Sequence, residues 1–305
     1  MGAVKGASVP ANAADGAPLA WEHLGSVPAA GAFRQALAGL LWRPHRFFAR
    51  MAVTGGLYEP LTFFAILLAA AVAVAFPAAL SYYGVAAPDR ERVSADVYRF
   101  YVLPARVTGL LLVLLPLVVV AGSAAMVLLG SLYHAGAKAF GARNWEGSVS
   151  VWLYSAGAAL APPVAALAVF LPVCLAGYLL SLQWPEVHEP AASLAHWMAL
   201  ALGSAGLLGG AAALIVDLTV GCGQASRLEP QVGAAAGVAG LAVVVAATGG
   251  VVWTFGRWGP AWGLAAAAAC LAAGGIVAAL SRIAARRAEG SPAEALAKEG
   301  VRRRW

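Results

Sequence analysis

Residues 149–182 read VSVWLYSAGAALAPPVAALAVFLPVCLAGYLLSL, a long run without one charged side chain. A helix needs roughly 20 apolar residues to cross about 30 Å of hydrocarbon, and charge-free stretches of about 18 or more are typical of such helices. Similar runs recur from Leu61 to Ala285, among them Gly109 to Leu132. The chain is 61% hydrophobic and 11% charged, against roughly 25% charged in ordinary soluble domains. The sequence therefore predicts an all-α, polytopic transmembrane helix bundle.

The run 149–182 leaves two numbers of spans open. As a helix it would be about 51 Å long, too long for one comfortable crossing and barely enough for two. Pro162-Pro163 near its middle favours a tight helical hairpin, because proline interrupts helices. One crossing gives six spans and places 15 Lys and Arg on the side of both chain ends against 5 opposite, which the positive-inside rule favours. Two crossings give seven spans and a split of 8 against 12. We prefer seven, partly on the resemblance described below.

A basic, aromatic segment precedes the first span. Pro44 predicts the start of a short helix in which Arg46 and Arg50 share one face while Phe47 and Phe48 take the other. The pattern is typical of an N-terminal interfacial amphipathic helix in the headgroup plane. Packing on the cytosolic end of the bundle would use the same faces, so both arrangements stay open. The residues expected to contact anionic lipid headgroups are Arg43, Arg46 and Arg50.

Ionisable residues inside spans suggest a function, because burying a charge in lipid is costly. Asp217 is the candidate, and we place it in the last turn of a helix over about 193–220, close enough to the boundary to reach water. The two interpretations are a transport or proton-relay role and an interfacial carboxylate, of which we prefer the second. No catalytic, metal-binding or cofactor-binding motif is visible. We therefore expect no catalytic residue, no metal site, no cofactor and no enzymatic activity.

The small residues predict how the helices pack, and the charged residues predict which partner the protein binds. Gly206-x-x-x-Gly210 and Gly233-x-x-x-Gly237 predict close helix packing, within the chain in preference to dimerisation. The chain has a net charge of +6, and its charged residues flank the apolar runs. This placement favours anionic headgroups and not nucleic acid as the partner. The expected domain organisation is a disordered tail (1–30), a membrane core (31–220), a two-helix extension (221–288) and a basic tail (289–305).

Three stretches carry a family resemblance through their order and spacing. They are LAGLLWRPHRFFARMAVTGGLYEPLTFFAIL (37–67), HAGAKAFGARNWEGSVSVWLYSAGAALAPP (134–163) and LQWPEVHEPAASLAHW (182–197). Together they resemble the Yip1-domain family of multi-pass membrane proteins, in its bacterial form. Leu57-Tyr58-Glu59-Pro60 is similar to the Asp-Leu-Tyr-Gly-Pro motif that eukaryotic members carry before their first span. This chain departs from it by Gly56 for the Asp and Glu59 for the Gly.

The resemblance implies five spans over roughly residues 33–220, a two-span extension and no enzymatic reaction. Eukaryotic relatives are linked to Rab GTPases and vesicle traffic, whereas the Ala, Gly and Arg bias suggests a GC-rich bacterium and its inner membrane. We expect a non-catalytic membrane scaffold or partner-binding protein that contacts lipids, other membrane proteins or copies of itself. The alternative is a subunit of a transporter or channel. The expected partner surface is Leu57, Tyr58, Glu59 and Pro60.

Overall fold

The fold is that of a computed structural model, which describes residues 19, 21, 28–51, 56–86 and 115–289. Within these ranges the chain forms eight α-helices and no strand, as the sequence predicts. The helices are α1 (Ala29–Trp42), α2 (Pro44–Arg50), α3 (Tyr58–Ala86), α4 (Leu115–Lys138), α5 (Trp145–Gln183), α6 (His188–Ser226), α7 (Pro230–Trp258) and α8 (Pro260–Glu289). Most of the predicted tail 1–30 and nearly all of the basic tail 289–305 lie outside the described residues.

Six helices, α3 to α8, are long and apolar enough to cross a membrane. They also carry large apolar side chains on their outer faces, such as Leu208 and Val252, which are 72% and 71% exposed. Apolar surface of this extent is costly in water and ordinary against lipid. The protein is therefore a multi-pass membrane protein with six candidate spans in the described part of the chain.

Helix α5 runs unbroken through Pro162, Pro163 and Pro172. The predicted hairpin at Pro162-Pro163 is therefore wrong. The preference for seven spans depended on that hairpin and is wrong as well. A turn at that point would leave backbone groups without partners in the hydrocarbon, whereas a proline inside a spanning helix is tolerated when a neighbouring helix packs on it. Helix α6 is that neighbour, since a Cβ added to Gly206 would lie 2.9 Å from the Cα of Pro163.

The contacts divide the chain into two compact units. The first contains α1, α2, α3, α4 up to Ala124, α5 from Leu153 and α6 up to Asp217. Aromatic rings form part of its core: the Tyr154 ring lies 5.0 Å from the ring of Phe47 and 5.3 Å from that of Phe63. One side chain of α5 thus joins α2 to the first span.

The second unit contains α4 from Ala125, the chain up to Trp152, α6 from Leu218, α7 and α8. Tyr133 stacks on Trp152 with 5.7 Å between ring centroids. Gly136 lies against the α7 backbone at Ala239, and Gly274 of α8 lies against α4. Small residues let apolar helices approach closely where lipid offers no hydrophobic drive for association.

Candidate functional sites

The aromatic face of α2 is packed inside the first unit. Phe47 and Phe48 are 3% and 1% exposed, and their rings contact each other edge to face at 5.3 Å. Pro44 begins the helix as predicted, and Gly39 of α1 is close to the Phe47 ring, at 3.3 Å for an added Cβ. Of the two arrangements left open by the sequence, the structure has the packed one, so these rings are not available to lipid.

The basic face of α2, defined as Arg43, Arg46 and Arg50, points away from that packing. Arg43 and Arg46 are exposed, and Arg50 is half-buried and takes part in contacts with the rest of the protein. A short helix fixed by buried rings holds these two guanidinium groups at defined positions. Such a surface suits headgroup phosphates, which guanidinium groups bind through paired hydrogen bonds.

The first-span segment, Leu57 to Pro60, is only partly open to a partner. Tyr58 is 72% exposed, whereas Pro60 is buried and Leu57 and Glu59 are half-buried. The Glu59 carbonyl oxygen accepts a hydrogen bond of 3.0 Å from Nε1 of Trp21. Tyr58 is thus the side chain of this segment that offers contact area.

Sequence reasoning missed Trp21, which falls within the predicted disordered tail. Its side chain is 3% exposed, and its ring lies 5.6 Å from that of Phe33 and 6.0 Å from that of Phe63. A lone Trp in a segment rich in Ala, Gly and Pro is a signal that could have found it, because Trp carries much apolar surface to bury.

Asp217 is buried, at 1% exposure, and its Oδ2 has no hydrogen-bond partner among the described residues. The prediction that it reaches water from the last turn of its helix is wrong, because α6 continues for nine residues to Ser226. The sequence predicted that this helix ends at about residue 220. Gly223 serves packing instead, since its added Cβ would lie 3.4 Å from the Cα of Gly233 on α7.

The side of α6 that carries Asp217 faces α5 within the first unit. Gly206 and Gly210 lie against Pro163 and Ala159 of α5, which sets an antiparallel register. Eleven residues make about three turns, so Asp217 shares the face of Gly206. Ser155 of α5 also has a buried Oγ without a partner among the described residues. Buried polar atoms without partners are rare and call for a physical explanation.

A second set of buried polar groups, in the second unit, has its hydrogen bonds satisfied. Ser148 Oγ donates to the Asn144 carbonyl at 3.0 Å, so Nδ1–H of His134 donates to Ser148 Oγ, also at 3.0 Å. Trp145 Nε1 donates to Ser131 Oγ at 3.2 Å, while Arg282 lies 5.0 Å from the centre of the Trp145 ring. Satisfied networks of this kind fix helices against each other. We assign these residues a structural role.

The described residues contain no group of three or more His, Cys, Asp and Glu that could hold a metal ion. No protein-family model, no curated protein and no solved structure matches the chain. The resemblance to the Yip1-domain family therefore stays a prediction from sequence.

Proposed function

We propose that this chain is a non-catalytic protein of the bacterial inner membrane, similar to the Yip1-domain family, that acts as a membrane scaffold or partner-binding protein. The observation that carries the proposal is the anchoring of α2. Its phenylalanines are buried against Tyr154, and its Arg43 and Arg46 are exposed. A helix held in place loses little freedom when it binds, so more of the contact energy appears as affinity.

The headgroup half of the proposal is tested on the full chain in lipid nanodiscs. Each basic residue near an anionic membrane surface contributes about 1 kcal/mol. We expect R43E/R46E to weaken the enrichment of anionic over zwitterionic lipid around the protein by roughly tenfold or more, read from the co-purified lipids by mass spectrometry. Arg257, also exposed, gives the matched control R257E, which should change the enrichment much less. Equal effects of the two variants would contradict a specific role for α2.

The partner half is tested by site-specific crosslinking in cells. A photoreactive amino acid replaces Tyr58, and the control position is Trp253, whose side chain is 63% exposed within α7. We expect a discrete protein adduct at 58 that weakens in the R43E/R46E background, and only lipid adducts at 253. Lipid adducts alone at both positions would remove the support for a partner surface.

One observation favours the second candidate, a subunit of a transporter or channel. Asp217 is fully buried in a candidate span and its Oδ2 has no hydrogen-bond partner among the described residues. Such residues in membrane proteins commonly mark ion or proton paths. In proteoliposomes, a transporter would show cation or proton flux that D217N abolishes and the control E229Q, at an exposed acid, leaves unchanged. A scaffold would show no flux that depends on Asp217.

A further inference from the structure

A groove of about 480 Å³ lies in the first unit between the second half of α5 and the beginning of α6. Its walls are almost entirely apolar, and the core residues Cys174 and Ala195, 1% and 3% exposed, form its floor. This volume falls within the range of about 300–1,000 Å³ that is ordinary for small-molecule sites. Its lining includes Pro172, Cys174, Gly177, Ala191, Leu194 and Ala195.

Small side chains and a proline keep the groove from closing. Gly177 on α5 and Ala191 on α6 line it from opposite walls and leave space that larger side chains would occupy. Pro172 has no backbone N–H, so α5 lacks one main-chain hydrogen bond beside the groove. The small residues and the proline on the two walls therefore account for the space in the groove.

Most of the groove lining lies within two candidate spans, Trp145–Gly177 and Glu189–Ser226. Large apolar side chains surround it with substantial exposure, among them Leu175 at 45%, Leu179 at 52% and Leu194 at 54%. Lipid acyl chains are the apolar molecules that surround these walls, so they are the occupant that the lining favours.

The charges beside the groove select a headgroup. Glu186 and Glu189, in the link and first turn that lead into α6, are both exposed. The sequence from residue 144 to residue 226 contains no Lys or Arg. Two carboxylates on helices that carry no Lys or Arg attract an ammonium group and repel a headgroup with net negative charge.

We propose that this groove binds one acyl chain of an aminophospholipid, with Glu186 and Glu189 next to the headgroup ammonium. The site is separate from the basic face of α2, which favours anionic lipid. The groove also does not include Asp217. A negative result for lipid binding in the groove would therefore leave the proposed function untouched.

The test uses the full chain reconstituted in equal parts of phosphatidylethanolamine and phosphatidylglycerol, followed by native mass spectrometry in mild detergent. In the R43E/R46E background, which removes the anionic-lipid contact proposed for α2, we expect one retained lipid, with phosphatidylethanolamine preferred by about two- to fivefold, as exposed ion pairs provide. A191W, which fills the groove, should lower retention by about tenfold. The matched control A246W, at an exposed alanine of α7, should retain the lipid. E186Q/E189Q should keep the lipid and lose the preference.

In that background, equal retention with and without A191W, or a preference for phosphatidylglycerol, would overturn the proposal. A second measurement does not depend on folding of a variant. Phosphatidylethanolamine with a photoreactive acyl chain should label residues 172–195 more strongly than the exposed α7 residues Val245, Val252 and Trp253. Uniform labelling would show bulk lipid only. Crosslinks that connect residues 87–106, or a second copy of the chain, to the groove would show a protein occupant and also overturn the proposal.

Discussion

Single glycines set the distances between helices in this protein. The predicted role of the Gly206/Gly210 and Gly233/Gly237 pairs in packing within the chain is confirmed, because added Cβ atoms there would meet backbone atoms of α5 and α6. The pattern of small residues was readable from sequence. Which helix each glycine faces was not, because the pattern of one helix does not specify its neighbour.

Gly136 offers the sharpest test at the residue scale. A Cβ on Gly136 would lie 2.6 Å from the Ala239 carbonyl oxygen and 2.8 Å from the Cα of Gly240, neither of which can move without moving the α7 backbone. We expect G136A to lower the stability by about 1–3 kcal/mol, as overpacking does, seen as a lower midpoint of thermal unfolding in detergent. The control is G249A, because Gly249 has nothing within 4 Å of an added Cβ. That variant should be neutral or stabilising by up to about 1 kcal/mol. A milder effect at 136 than at 249 would show that α4 and α7 are not in close contact.

At the scale of elements, local signals predicted helix ends well wherever proline or glycine marks a true break. The break between α1 and α2 at Pro44 was predicted, and in the turn between α7 and α8 Gly259 has a φ of +87°. The predictions were wrong inside long helices, both for the hairpin at Pro162-Pro163 in α5 and for the end of α6 near residue 220. Breakers end helices in water, whereas in a membrane the lack of alternative partners for the backbone keeps a helix continuous.

The same limit applies to the candidate site residues. The faces of α2 could be assigned from helical spacing, since Arg46 and Phe47 differ plainly in polarity. Periodicity could not tell whether the phenylalanines meet lipid or protein, because both are apolar. Nor could it place Asp217, whose burial at 1% exposure depends on helices distant in sequence. Fold class is therefore accessible from composition, while site geometry requires the tertiary contacts.

At the scale of the whole molecule, the span number and the charges now agree. Consecutive spans alternate in direction, so the six candidate spans of the described residues predict that the chain before α3 and the chain after α8 lie on one side of the membrane. That side holds 15 of the 20 Lys and Arg residues. Positive charge in short loops and near span ends is retained on the cytoplasmic side. The conflict between length and charge in the sequence disappears once residues 149–182 lie in one helix.

This orientation makes a prediction about the entire chain. Compartment-sensitive reporters placed at residue 28 and after residue 289 should both report the cytoplasm, and a reporter inserted at residue 184, between α5 and α6, should report the opposite side. The physical reason is the parity of six spans combined with the basic residues at both flanks. A reporter at residue 259, in the turn between α7 and α8, serves as an independent control and should agree with residue 184. If residues 28 and 289 were found on opposite sides, the number of spans would be odd. The chain would then contain a crossing or a break that the six helices do not contain.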